Sequence, residues 1–143
     1  MKPTTRIIAA LLLAAFAAGC CHCRAYQRKT RRPLTGTVWQ LIQLGGQGIH
    51  PEAGQYVVVF GAEEGRIAGR GACNDLAGSF RSDDTRALHI GPLAATRMSC
   101  PGLGTEQAFV RALEATTHYG MDGPMLLLFA DGELRAVFQA LGE

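Results

Sequence analysis

The first 33 residues contain no aspartate or glutamate, and the chain of 143 has a single tryptophan. The first of these absences divides the charge. Seven of the fourteen basic residues (Lys2, Arg6, Arg24, Arg28, Lys29, Arg31 and Arg32) stand in that acid-free segment, leaving seven against twelve acidic residues in the remainder. A nucleic-acid reader carries its positive charge on the folded domain, so the negative remainder argues against that partner. No apolar run reaches the roughly 20 residues that a membrane-spanning helix needs. The run Ile7 to Ala18 is twelve residues long. Gly69-Arg70-Gly71 lacks the Lys-Ser/Thr and the following helix of a phosphate loop. The four histidines, His22, His50, His89 and His118, fall in no metal or nucleophile motif, and the acids are scattered. The residues therefore offer no catalytic set and no metal set, and no cofactor is expected.

What is present at the N-terminus is a processing signal. Lys2 and Arg6 precede the apolar run, and Ala17-Ala18-Gly19 places small residues before Cys20. This resembles a bacterial lipobox. The lipobox implies a signal peptide over residues 1–19, acylation of Cys20, and a basic tether over 20–33 that lies on anionic headgroups or spaces the domain as a solvated linker; an ordinary secretory signal cleaved near Gly19, or an uncleaved anchor, is the alternative. Cys21 stands where Asp favours inner-membrane retention, so the expected location is the outer membrane, facing the periplasm. Cys20-Cys21-His22-Cys23 cannot close a tetrahedral zinc site alone, because four consecutive residues cannot wrap the ion.

The globular domain is expected over 34–143. Alternating or apolar runs rich in strand formers predict strands at Thr37 to Leu44, Tyr56 to Phe60, Arg66 to Gly71, Ser79-Phe80 and Leu88 to Ile90. Tyr119 to Asp122 predicts a short strand, and a closing hairpin spans Met125 to Phe129 and Leu134 to Phe138, joined through Asp131-Gly132. The unbroken apolar run at 56–60 predicts burial on both faces. Trp39 is expected in the core with a partner for its indole N–H, and His89 on a solvent-facing strand position. One helix is predicted from Glu106 to about Thr117, capped by Thr105, with Phe109, Ala112, Leu113 and Thr116 facing the sheet.

Two short runs organise this domain: Gly71-Ala72-Cys73-Asn74-Asp75-Leu76-Ala77-Gly78-Ser79-Phe80 and Thr96-Arg97-Met98-Ser99-Cys100. They hold the domain's two cysteines beside turn-forming and backbone-permissive residues. An oxidising compartment favours a Cys73–Cys100 disulfide. Buried thiols, or a reactive Cys73 with His89 or His118 as base, are the alternatives. The first run is similar to the G-x-C-N…G-x-[FY] signature of META domains (Gly71, Cys73, Asn74, Gly78), and the second to their T-x-M-x-C signature (Thr96, Met98, Cys100). Trp39-x-Leu41 and the run through Leu88, Ile90, Leu93 and Thr96 match further family positions. The resemblance covers nearly all of 34–143 and extends to the HslJ-type envelope and heat-shock proteins. It implies an α+β fold: a curved, mostly antiparallel, barrel-like β-sheet with one packed α-helix. It supplies no catalytic residues.

The expected function is that of a non-catalytic, stress-related binding module on an envelope lipoprotein, with an envelope protein as partner. One alternative is a carrier or pilotin-like chaperone holding a small hydrophobic ligand or peptide between helix and sheet. The other is a thiol-dependent enzyme using Cys73.

Overall fold

The computed structural model describes residues 23–142 apart from residue 64. The leader 1–19, Cys20, Cys21 and His22 lie outside the described residues. Residues 23–30 form helix α1. Then come β1 (Val38–Leu44), β2 (Gln47–Gly48), β3 (Val57–Phe60), β4 (Arg66–Arg70), β5 (Asp75–Ser82), β6 (Leu88–Ile90) and β7 (Ala94–Ala95). Helix α2 (Leu103–Glu114) precedes β8 (His118–Asp122), β9 (Met125–Ala130) and β10 (Glu133–Ala140). The expected α+β class is the observed one, with α1 as an addition to the single helix predicted.

Neighbouring strands are antiparallel in the order β6-β5-β4-β3-β1-β10-β9-β8, with β2 beside β1 and β7 beside β5. The two ends of this order meet. Leu88 N donates to Thr117 O at 2.9 Å and Tyr119 N to Arg86 O at 3.0 Å, on either side of an Ala87–His118 bridge. The sheet is thus a nearly closed barrel, which leaves little open edge for pairing with other chains. Register shifts on both sides of β10, at Leu41/Gln43 and at Leu134/Ala136, add the curvature that closure needs. At the β9–β10 turn, Asp131 and Gly132 take φ of 53° and 76°, the left-handed pair that the Asp-Gly signal implies.

Closure also corrects the expected burial. Val58 and Phe60 of β3 are buried while Val57 and Val59 are only half-buried, and β9 alternates in the same way. A barrel strand packs its inner face on the core and leaves its outer face partly wet. Inside, Trp39, Leu41, Phe60, Leu88, Phe109, Leu113, Leu126, Leu128 and Phe138 are fully buried. The Trp39 indole N–H donates to Leu34 O at 3.0 Å. Phe109 of α2 stands edge-on to Tyr56, with centroids 5.6 Å apart, and against Phe138. Among the described residues, every member of this core cluster lies between Leu34 and Phe138, so the packed core seen here is assembled from the domain itself.

Helix α2 begins three residues before its predicted start. Its N-cap is Gly102, with no side-chain capping bond, so Thr105 is not the cap. Cys100 O accepts from Leu103 N at 3.1 Å, so the chain turns at Pro101-Gly102 directly into the helix. The helix stops at Glu114, because Thr117 N already bonds Phe129 O at 2.8 Å and joins the chain to the sheet. Thr116 is buried as expected, outside the helix. The antiparallel order puts the β4–β5 loop and the β9–β10 turn on the rim where β1 ends. The β8–β9 turn lies on the opposite rim.

Candidate functional site

The β4–β5 loop carries Gly71 to Asn74, and the segment Thr96 to Cys100 passes over it before entering α2. Cys73 and Cys100 are joined by a disulfide, with their Cα atoms 6.4 Å apart. The thiol that the enzyme alternative requires is consumed in this bond, and His50, His89 and His118 are all exposed. Among the described residues, no group of three or more His, Cys, Asp or Glu is arranged to hold a metal ion.

Asn74 is the hub. Its side chain is buried, and every hydrogen-bonding position on it is filled. Oδ1 accepts from Thr96 Oγ1 at 2.8 Å and from Met98 N at 2.7 Å. Nδ2 donates to Met98 O at 3.1 Å and to Glu106 Oε1 at 2.6 Å. Toward Met98 the amide behaves as a neighbouring strand would, pairing with both backbone groups of one residue. Thr96 completes the seam: its hydroxyl accepts from Asp75 N at 3.1 Å, and its N–H donates to Asp75 O at the same distance.

Beneath Asn74 lies Glu106, 3% exposed. Its Oε2 accepts from the backbone N–H groups of Cys73 (2.9 Å) and Asn74 (3.0 Å). Burial of this carboxyl disfavours the charge, but hydrogen bonds from Cys73, Asn74 and Ala72 outweigh it and hold Glu106 below the usual glutamate range. Its place in the first turn of α2 adds the favourable end of the helix dipole. Gly71 is required here because a Cβ would come within 2.6 Å of Glu106 Cδ. A Cβ on Gly78 would lie 2.7 Å from Leu93 Cδ2, so that motif glycine admits the segment leading to Thr96. Tyr56, at φ 50°, receives the other side of the loop: its N–H donates to Gly71 O at 3.2 Å, and burial pushes its hydroxyl pKa up.

The motif residues Gly71, Cys73, Asn74, Gly78, Thr96, Met98 and Cys100 thus form one clasp. Glu106 was missed by the sequence reading, which gave it only a place in the helix's first turn. The available signal was its spacing, since it precedes Phe109 and Leu113 by three and seven residues and so shares the buried face of the helix. Met98 joins the clasp through its backbone alone; its side chain is 60% exposed. Between the 95–99 segment and α2 runs an open groove of about 500 Å³. It is lined by Ala95, Met98, Leu103 and Val110, with Arg97 and Arg111 beside them and Asn74 and Glu106 at its floor.

The sequence model of the META domain matches residues 32–141, across the barrel and the clasp. The chain belongs to the META domain family. A protein from Burkholderia xenovorans, solved by NMR, is similar at 27% identity with a TM-score of 0.59, over 77% of this chain and 85% of its own. A DUF4847 family protein from Bacteroides vulgatus shares the fold at 17% identity and a TM-score of 0.60, over 75% of this META chain and 93% of its own. A further NMR structure does so at 21% identity and a TM-score of 0.57, over 72% and 87%. No curated protein matches the sequence.

Proposed function

We propose that this META protein is an outer-membrane lipoprotein facing the periplasm, anchored through Cys20, whose domain is a non-catalytic binding module for another envelope protein under stress. One observation carries the binding reading: the clasp's buried polar groups are committed to one another while the large apolar side chain of Met98 is turned outward beside a groove. Asn74, Glu106, Thr96 and the cystine all have internal partners, so they serve as scaffold. What they hold in place is the exposed Met98 side chain beside the groove along α2. Because its backbone is already fixed, binding there has no loop to order and costs only the rotamer freedom of the side chain. The disulfide supports an oxidising compartment. The carrier alternative is disfavoured by packing, because Val58, Phe109 and Leu113 fill the space between helix and sheet.

The test is the intact mass of the protein purified from a membrane fraction, with and without reduction before alkylation. A chain starting at Cys20 with added acyl mass, on which Cys73 and Cys100 alkylate only after reduction, is expected. An unacylated chain overturns the anchor. For the binding reading, a photo-crosslinking residue at Met98 is expected to give a discrete adduct that the same residue at Asp84 does not. Identical patterns from both positions overturn it.

A further inference from the structure

Helix α1 is held to the domain at one place. Gly123 N donates to Gln27 Oε1 at 2.7 Å, and the Gln27 amide nitrogen donates to Asp122 Oδ1. Tyr26 and Thr30 close over Gly123, where an added Cβ would lie 3.2 Å from Tyr26 Cε1 and 3.0 Å from Thr30 Oγ1. The Arg31 N–H still bonds Gln27 O at 3.0 Å, so the helical pattern reaches that residue. At about 100° per residue, Gln27 and Thr30 define the docked side. Arg24, Arg28 and Arg31, spaced four and three apart, lie in one stripe along the flank of that docked side, and Lys29 and Arg32 lie beyond it on the far side. All five are exposed, and no acid stands among residues 1–33 to neutralise them. A tether with this charge and no docking would leave the domain free to turn; a docked one does not.

We infer that α1 is a basic platform that binds an anionic lipid surface and fixes the domain's orientation on it, with the β8–β9 rim toward the bilayer and the clasp rim away. The charge complementarity is direct: five exposed cations lie on α1 and the two residues that follow it, and the side carrying Gln27 and Thr30 is fixed to a net-acidic domain. Exposed Tyr26 suits the headgroup region, where aromatic rings with a polar tip accumulate. Because the β4–β5 loop opens on the rim opposite the β8–β9 turn, this orientation presents Met98 and the groove to the surrounding compartment. The inference builds on the anchored reading for its setting, but it concerns the charge on α1 and not the acyl group.

A chain beginning at Cys21, which retains the whole core and carries no acyl group, separates the two. Its partition is measured onto vesicles of phosphatidylcholine alone and onto an equimolar mixture with phosphatidylglycerol. Binding to the anionic vesicles only, weakened by added salt, is expected. Each Arg→Gln in the stripe lowers the partition about fivefold, and Arg24→Gln/Arg28→Gln/Arg31→Gln together by on the order of a hundredfold. Orientation is read by NMR with a paramagnetic lipid. Amides of Asp122 and Gly123 broaden while those of Asn74 and Gly102 do not, and Gln27→Ala keeps the binding but evens out the broadening. Equal partition onto both vesicles, or a triple variant that binds like the parent, overturns the platform. Broadening strongest at the clasp overturns the orientation. An unacylated native chain with anionic binding intact would instead sink the anchor and leave this inference standing.

Discussion

Replacing Glu106 by Gln exchanges one carboxylate oxygen for an NH2 group at the centre of the clasp. The carboxylate accepts from Cys73 N, Asn74 N and Asn74 Nδ2. An amide there has one acceptor and one donor. If its oxygen takes the two backbone N–H groups, its NH2 faces the Asn74 NH2. If it is reversed, two backbone donors are orphaned. Asn74 cannot flip to relieve this, because its Oδ1 is held by Thr96 and Met98. At least two buried donors are left without an acceptor, at about 1–3 kcal/mol each, so the loss is about 2–6 kcal/mol. For a domain near 110 residues this lowers Tm by about 10–25 °C. The pH dependence gives a second reading. Glu106 titrates below its ordinary value of 4.5, so its stabilisation is present above that pH and is lost as pH falls through the folded-state value. The gap between parent and Glu106→Gln, measured by thermal unfolding, is therefore widest at neutral pH and narrows on acidification below about pH 4.5. A Tm change under about 3 °C, or a gap as wide at pH 3 as at pH 7, would refute the reasoning.

Three further changes probe the same architecture. Gly71→Ala pushes a methyl into the Glu106 carboxylate and is expected to destabilise by about 1–3 kcal/mol, visible in chemical denaturation as a lower midpoint with the slope unchanged. Cys73→Ser opens a loop of 26 residues between the cysteines and should cost about 3–4 kcal/mol in non-reducing buffer. Added reductant should bring the parent down to the variant, and a variant that melts with the untreated parent contradicts the bridge. Met98→Ala, by contrast, leaves every backbone bond of the clasp in place and should shift stability by less than about 0.5 kcal/mol. A large loss there would mean that the side chain is structural.

The strands, the closing hairpin at Asp131-Gly132 and the buried Trp39 were legible because each rests on local chemistry: alternation, β-branched content and a left-handed turn. The clasp was legible in part. Cys73, Asn74, Thr96 and Cys100 stand in recognisable runs, but their acceptor, Glu106, lies 32 residues beyond Asn74 and became a partner only when α2 packed across the barrel rim. The start of α2 was misplaced for a related reason, since a turn at Cys100 and not a capping side chain begins it. From sequence, residues 23–30 belong to a tether. Its charge pattern was plain, but nothing local shows that Gln27 reaches Asp122 and Gly123, nearly a hundred residues away. Composition and periodicity by themselves marked the strand runs, the closing hairpin and the acid-free leader, and the likeness of two short runs to META signatures implied the class. Which groups are buried, which face outward and which rim holds the groove were decided by barrel closure, because burial and hydrogen-bond partnership are properties of distant segments brought together.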